Sequence, residues 1–297
     1  MTGRTRPHPH VKQTAVLAAL LVALTATIVA CGASAAPTTA PTTTATTRHV
    51  IDSQGHKLAF YVTPGQLPAI VLDSGGGLDA SYWKNLVPTL AKSTGSEIIT
   101  YDRAGLGASD EVPGPWNVDD AVSDLHAGLT HLGLTHDVIL VSHSEAGEIA
   151  TYFVREHPGV VADAVLVDAS LPEFYTDDEI ARIEAEEQPQ IAALRNQPST
   201  KANRQLLAVA ADYVPMHTAY HQIAWPQDVP AVVIASAKTP FETSPLDAQR
   251  WRDAQTAFAA AAPNRTLVTA AGSSHDVPID RPDVVINAID SMIAKTR

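Results

Sequence analysis

The chain has 297 residues, of which 45% are hydrophobic and 18% charged, and a formal net charge of −12. That length has room for one large domain or two small ones. The acidic balance argues against a nucleic-acid partner and against electrostatic adhesion to anionic lipid. A single cysteine excludes an internal disulfide.

Arg4, Arg6 and Lys12 form a basic N-terminal region, and residues 14–30 form an apolar run without charge. This pattern predicts a signal peptide over residues 1–30 rather than part of a core. The run is slightly short for a membrane span, although an uncleaved anchor is an alternative. At its end, Ile28-Val29-Ala30-Cys31 resembles the bacterial lipoprotein cleavage box. The resemblance implies that Cys31 is lipidated and becomes the new N-terminus, placing the protein outside the cytoplasm on the cell membrane. Ordinary secretion, with cleavage after Ala33-Ser34-Ala35, is the alternative. Residues 31–47 hold that cysteine and an Ala/Pro/Thr-rich stretch with too little apolar bulk to fold, which reads as a tether. A single domain over residues 48–297 is the simplest account of the rest.

From there, short β-rich runs alternate with longer helical ones. Strands are expected at residues 49–52, 58–62, 69–72, 97–101, 137–141, 162–167, 230–235 and 265–269. Helices are expected at 81–92, 118–132, 145–157, 245–261 and 282–295. Several strands are unbroken Val/Ile/Leu runs, as in strands buried on both faces of a parallel sheet. The expected fold class is therefore α/β, a mostly parallel sheet of about eight strands with helices on both faces. Residues 171–227 contain no convincing strand and read as several helices inserted after the sixth strand, forming a small lid. The acidic run 177–187 reads as the solvated face of a lid helix. Trp83 and Trp116 are expected to pack around the domain.

The most informative stretch is Val138-Ile139-Leu140-Val141-Ser142-His143-Ser144-Glu145-Ala146-Gly147. An apolar strand runs into a serine with a small residue two places away on each side, and a helical run follows. This is the sequence form of a nucleophile elbow, usually spelled G-x-S-x-G. Ser142 and Ala146 break the spelling but meet its steric demand. Were Ser142 the nucleophile, Leu140 would occupy the cramped position.

Three further motifs stand in order around it. Asp73-Ser74-Gly75-Gly76-Gly77 follows the third strand. Tyr101-Asp102-Arg103-Ala104-Gly105-Leu106-Gly107-Ala108-Ser109-Asp110 follows the fourth. Gly272-Ser273-Ser274-His275-Asp276 follows the last. In wording and order the four resemble the α/β-hydrolases, from about residue 48 to the C-terminus. The resemblance implies a serine hydrolase that cleaves an ester or related acyl bond through an acyl-enzyme, without cofactor or metal, on a small-molecule substrate. Ser144 would attack, and His275 would take its proton and return it to the leaving group. Backbone N–H groups of Gly76 and Glu145 would form the oxyanion hole. Ser74-Gly75 replaces the family's usual His-Gly.

The triad acid is less direct. The family most often places it after the strand at 230–235, where this chain has Ser236-Ala237-Lys238-Thr239-Pro240. Asp168, ending the strand at 162–167, occupies the position that a minority of members use. Glu242, on a loop that could fold back, is the next candidate, with other carboxylates left open. His143, beside the nucleophile, is expected to pack rather than react. His217 and His221 have a chelating spacing but no completing third ligand. Tyr213, Tyr220 and Trp225 are expected to line an acyl pocket from the lid. A serine at the elbow argues against the dehalogenase and epoxide-hydrolase branches, which need a carboxylate there. Amide, lactone or carbon–carbon bond cleavage stays open, as does a catalytically silent binding protein, which the missing carboxylate after residue 235 favours.

Overall fold

The computed structural model describes residues 45–296, so the expected signal peptide, Cys31 and the tether up to residue 44 lie outside the described residues. Among the described residues, no helix is long and apolar enough to cross a membrane. Eight strands form one sheet: β1 (Thr47–Ser53), β2 (His56–Thr63), β3 (Gln66–Asp73), β4 (Ser96–Asp102), β5 (Val138–His143), β6 (Val161–Val167), β7 (Ala231–Ser236) and β8 (Arg265–Ala270). Their spatial order is β1-β2-β4-β3-β5-β6-β7-β8. β2 pairs antiparallel with both β1 and β4, and every later pairing is parallel. The helices are α1 (Val87–Thr94), α2 (Val118–His131), α3 (Ala146–Glu156), α4 (Asp177–Arg195), α5 (Lys201–Ala211), α6 (Tyr213–His221), α7 (Pro245–Ala260), α8 (Val277–Asp280) and α9 (Pro282–Thr296). The expected α/β class, sheet and helical insertion after the sixth strand are all present.

Alternation along the central strands sorts their side chains into two layers, because successive residues of a strand point to opposite faces. Leu72, Val141, Val167 and Ile234 face α1 and α9, packing with Leu90 and Ile289. Val71, Leu140, Leu166 and Val233 face α2, α3 and α7, packing with Leu125, Phe153 and Phe258. The unbroken apolar runs are therefore two interleaved faces, each with its own core.

One expected helix is divided. Residues 81–92 form a short 3-10 turn, Ala80–Trp83, followed by α1 beginning at Val87. Pro88 sits at the start of α1. A continuous helix would need an N–H from Pro88 to Lys84, which proline cannot supply. The four-residue α8, just after the last motif, was not among the expected elements.

Candidate active site

β5 ends one residue before Ser144, which carries φ of 54°, and α3 begins two residues after it. A non-glycine residue in this region is strained and persists only where its surroundings hold it. Here the Ser144 N–H donates to the Val167 carbonyl at 3.2 Å, and its own carbonyl accepts from Gly147 and Ser170, each at 2.9 Å. The crowding expected of the elbow is present on both sides. Ser142 and Ala146 are fully buried. A Cβ on Gly147 would stand 2.4 Å from the Ser170 carbonyl oxygen.

Asp168 caps the neighbouring strand β6 and carries φ of 41°, a second non-glycine residue in the left-handed region. Its N–H donates to the Ile234 carbonyl at 2.7 Å. The structure brings Ser144, His275 and Asp168 together. His275 Nδ1–H donates to Asp168 Oδ2 at 2.6 Å, which leaves Nε2 free to accept from the Ser144 hydroxyl at 2.9 Å. The other carboxylate oxygen of Asp168 accepts from the Ser236 N–H at 3.1 Å and from Trp251 Nε1–H at 3.0 Å. Burial alone would raise the Asp168 pKa, but the bonds from His275, Ser236 and Trp251 outweigh it and hold the carboxyl below its usual range. Ser236 thus donates to an acid from the strand end where the family usually keeps that acid. Glu242 is exposed and makes no hydrogen bond to His275.

The Gly-rich loop after β3 crosses the elbow closely. A Cβ on Gly75 would stand 3.1 Å from Ser144 Cβ, and one on Gly76 would stand 2.7 Å from a Glu145 carboxylate oxygen. Glycine is required there by proximity. Among the described residues, the Gly76 and Glu145 amides meet no backbone acceptor. Arg103, buried behind the loop, holds it in place. Its guanidinium donates to the carbonyls of Ser74 (2.6 Å) and Gly75 (2.7 Å), and to carboxylates of Asp73 (3.0 Å) and Glu145 (3.1 Å). Sequence reasoning quoted the motif containing Arg103 without giving it a role. A lone buried-type arginine one residue after a strand is the signal that could have found it.

His143 packs, and it also touches His275. Its Nε2–H donates to the His275 carbonyl at 3.1 Å, its ring stacks on Tyr82 at 5.0 Å, and the Tyr82 hydroxyl donates to Asp276 at 3.2 Å. Burial and the adjacent His275 lower its pKa to about 3, so it is neutral. With the proton on Nε2, Nδ1 is a buried acceptor that has no partner.

A cavity of about 200 Å³ opens beside Gly76 and Glu145, roofed by the lid residues Leu206, Val209 and Tyr213. Of the three lid aromatics expected there, only Tyr213 lines it. Tyr220 is fully buried, its hydroxyl donating to the Ser170 carbonyl at 3.0 Å, and Trp225 packs against Phe258 in the core. Hydrogen bonding to the elbow pulled Tyr220 inward. A larger cavity of about 540 Å³ borders Tyr61, Asp79 and Asp102; Ser144, His275 and Asp168 line neither cavity, and only the smaller one reaches Gly76 and Glu145 beside them. The acidic run is not uniformly solvated either. Glu179 is fully buried between Arg182 and Arg250, and Glu187 lines the smaller cavity. His217 faces Glu148, whereas His221 donates to the Pro172 carbonyl at 2.9 Å.

Residues 70–288 match the model of the alpha/beta hydrolase family. The chain belongs to this family. A non-heme haloperoxidase of Rhodococcus erythropolis is 36% identical over 114 residues, 38% of this chain and 41% of that protein. The match thus spans about two fifths of the relative's length. In structure, a thermophilic esterase from Thermogutta terrifontis superposes with a TM-score of 0.59 at 22% identity, covering 84% of this chain and 98% of the other. A bromoperoxidase from Bacillus anthracis gives 0.61 at 20% identity, covering 84% and 100%. At these identities the likeness is one of fold.

Proposed function

We propose that this alpha/beta hydrolase is a serine hydrolase that cleaves an ester or related acyl bond through an acyl-enzyme. The observation that carries the reading is the unbroken hydrogen-bond chain from the Ser144 hydroxyl through His275 to Asp168. The buried carboxylate fixes the imidazole tautomer, so Nε2 is placed to remove the Ser144 proton as Oγ attacks the acyl carbon. The imidazolium then returns that proton to the leaving alcohol, and water repeats the sequence to release the acid. The Glu145 amide, at the start of α3, and the Gly76 amide are the donors for the developing oxyanion. Arg103 keeps the loop that carries Gly76 against the elbow. The relatives include proteins named as peroxidases as well as esterases, and a serine nucleophile suits acyl transfer rather than the alkyl-enzyme chemistry of a carboxylate.

A fluorophosphonate probe tests the reading. The parent protein should be labelled on Ser144 and Ser144→Ala should not, and a panel of aryl esters should be hydrolysed only by the parent. Labelling that persists in Ser144→Ala would remove the nucleophile, and an unlabelled parent would favour a binding protein with the same fold.

We also infer from Ile28-Val29-Ala30-Cys31 and the tether that the chain is exported and held on the extracytoplasmic face of the cell membrane by lipid on Cys31. Firm attachment needs more than one acyl chain. Wild-type protein should therefore partition into detergent and Cys31→Ser should not, whereas an intact mass showing unmodified Cys31 would refute the anchor.

A further inference from the structure

The cavity beside Gly76 and Glu145 has an uneven charge. Three glutamates line it, Glu145, Glu148 and Glu187, and no lysine or arginine does. Behind it, Arg103 serves two carboxylates, Asp73 and Glu145. His217 serves one. Its Nδ1–H donates to the Tyr213 carbonyl at 2.7 Å, and its Nε2 lies 3.1 Å from Glu148 Oε1. Among the described residues, Glu187 makes no ion pair within 4 Å, and the only opposite charge it feels is the more distant His217. The buried carboxylates Glu179 and Asp247 are taken up by the partly exposed Arg182 and Arg250. Four carboxyl groups around the cavity are therefore set against one guanidinium and one imidazole.

The second observation concerns one atom. Glu148 is 2% exposed and lines the cavity. Its Oε1 accepts from Tyr175 at 3.0 Å and meets His217, while its Oε2 is buried with no hydrogen-bond partner. Most buried carboxylate oxygens are satisfied, and one left open on a residue that lines a cavity has capacity for a further donor. Burial also holds the Glu145 and Glu187 carboxyl groups above their usual range, an expense that a nearby positive charge would relieve. The opposite wall is aliphatic, with Leu194, Leu206 and Val209 suited to a methylene chain.

We propose that this cavity is the subsite for a primary ammonium group at the end of a short aliphatic arm of the substrate, held by the Glu148 and Glu187 carboxylates. The choice of ester substrates rests on the serine-hydrolase reading, but binding of the ammonium group does not. An ammonium donates the N–H that Glu148 lacks and supplies the missing positive charge, while its methylenes cover the aliphatic wall.

Two measurements on the full-length protein test this. Calorimetric titration with butylammonium, against butanol as the uncharged control, should show the cation binding tighter by about tenfold or more, the size of one charge-assisted contact. Glu187→Gln and Glu148→Gln should each remove most of that advantage, and Glu187→Gln carries the test if the buried variant fails to fold. Hydrolysis of an ε-aminocaproyl aryl ester should exceed that of its heptanoyl isostere in kcat/KM by a similar factor, through KM, with the ratio collapsing towards one in Glu187→Gln. Equal binding of butylammonium and butanol would overturn the subsite. So would a preference that survives both variants, or efficient hydrolysis of both esters at equal rates. Cation binding with neither ester hydrolysed would leave the subsite standing and remove the hydrolase reading instead.

Discussion

Two buried carboxylates lie on either side of the elbow, and their surroundings differ. Asp168, at the end of β6, has both oxygens engaged, with Ser236 and Trp251 on Oδ1 and His275 on Oδ2. Glu148, in the first turns of α3, has Oε1 doubly engaged and Oε2 bare. A filled set of donors fixes a carboxylate and whatever it holds before any substrate arrives. An unfilled set stores an unmet demand, worth about 1–3 kcal/mol for a buried acceptor, that a ligand can meet. One arrangement suits orienting a base, the other suits recognition.

The sharpest way to break the filled side is Asp168→Asn. With the amide in place of the carboxylate, the His275 imidazole loses its preferred tautomer and the stabilisation of its charged form. Turnover of an aryl ester should fall by about 10⁴ in kcat, the size of the corresponding loss in a serine protease, with folding retained by circular dichroism. Glu242→Gln should keep near-parental turnover. The reverse ranking would move the acid to Glu242.

A smaller break is Arg103→Met, which removes the clamp on the Ser74 and Gly75 carbonyls while leaving Ser144, His275 and Asp168 in contact. The Gly76 amide should lose its fixed place, and kcat should fall by about 10²–10³, as for loss of one oxyanion donor. Fluorophosphonate labelling should slow in parallel. Unchanged kcat with lowered thermal stability would make Arg103 purely structural.

Trp251→Phe sharpens the comparison, because it makes Asp168 resemble Glu148 by taking away one donor. Asp168 Oδ1 would keep only the Ser236 N–H. A hydrogen bond to a charged group is worth about 1.5–3 kcal/mol, so kcat should drop by roughly ten- to a hundredfold if the whole loss reaches the transition state. The acid limb of the pH–rate profile should also move upward, since a donor that lowers the Asp168 pKa is gone. An unmoved limb would show that Trp251 only fills space.

The framework is legible in the sequence because its signals are local. Unbroken apolar runs such as Val138 to Val141 declare doubly covered strands, and small residues at 142 and 146 declare a crowded turn. Asp168 is readable as a strand-ending carboxylate, but its strained φ arises at the end of β6 and its three donors come from β7, α7 and the loop after β8 at once, and no local pattern encodes that meeting. The lid resists reading for the same reason. Glu179 and Glu187 stand on one helix in one acidic run, yet one is neutralised by arginines and the other faces a cavity. Composition treats them alike, and only the packing of α4 against α6 and α7 separates them.

His143 combines both conditions, with Nε2 engaged on the His275 carbonyl and Nδ1 bare. Its smallest but cleanest consequence is in stability. In the unfolded chain a histidine titrates near ~6.5, whereas in the folded protein burial lowers the value to about 3. Between those limits the unfolded chain binds a proton that the folded one refuses. The contribution of His143 is therefore whole above about pH 6.5 and is lost as the pH falls towards 3, at up to about 1.4 kcal/mol per pH unit. Asp168 adds a loss of the same sign only lower down, below the usual aspartate range, since its pKa is depressed from there. Urea unfolding of the parent at pH 7, 6 and 5 should show this decline, and His143→Gln, which cannot titrate, should flatten it. Gln should also keep an N–H for the His275 carbonyl, so its activity loss should be far smaller than that of His275→Ala. An undiminished slope in His143→Gln would place the acid sensitivity on another group and leave His143 as packing alone.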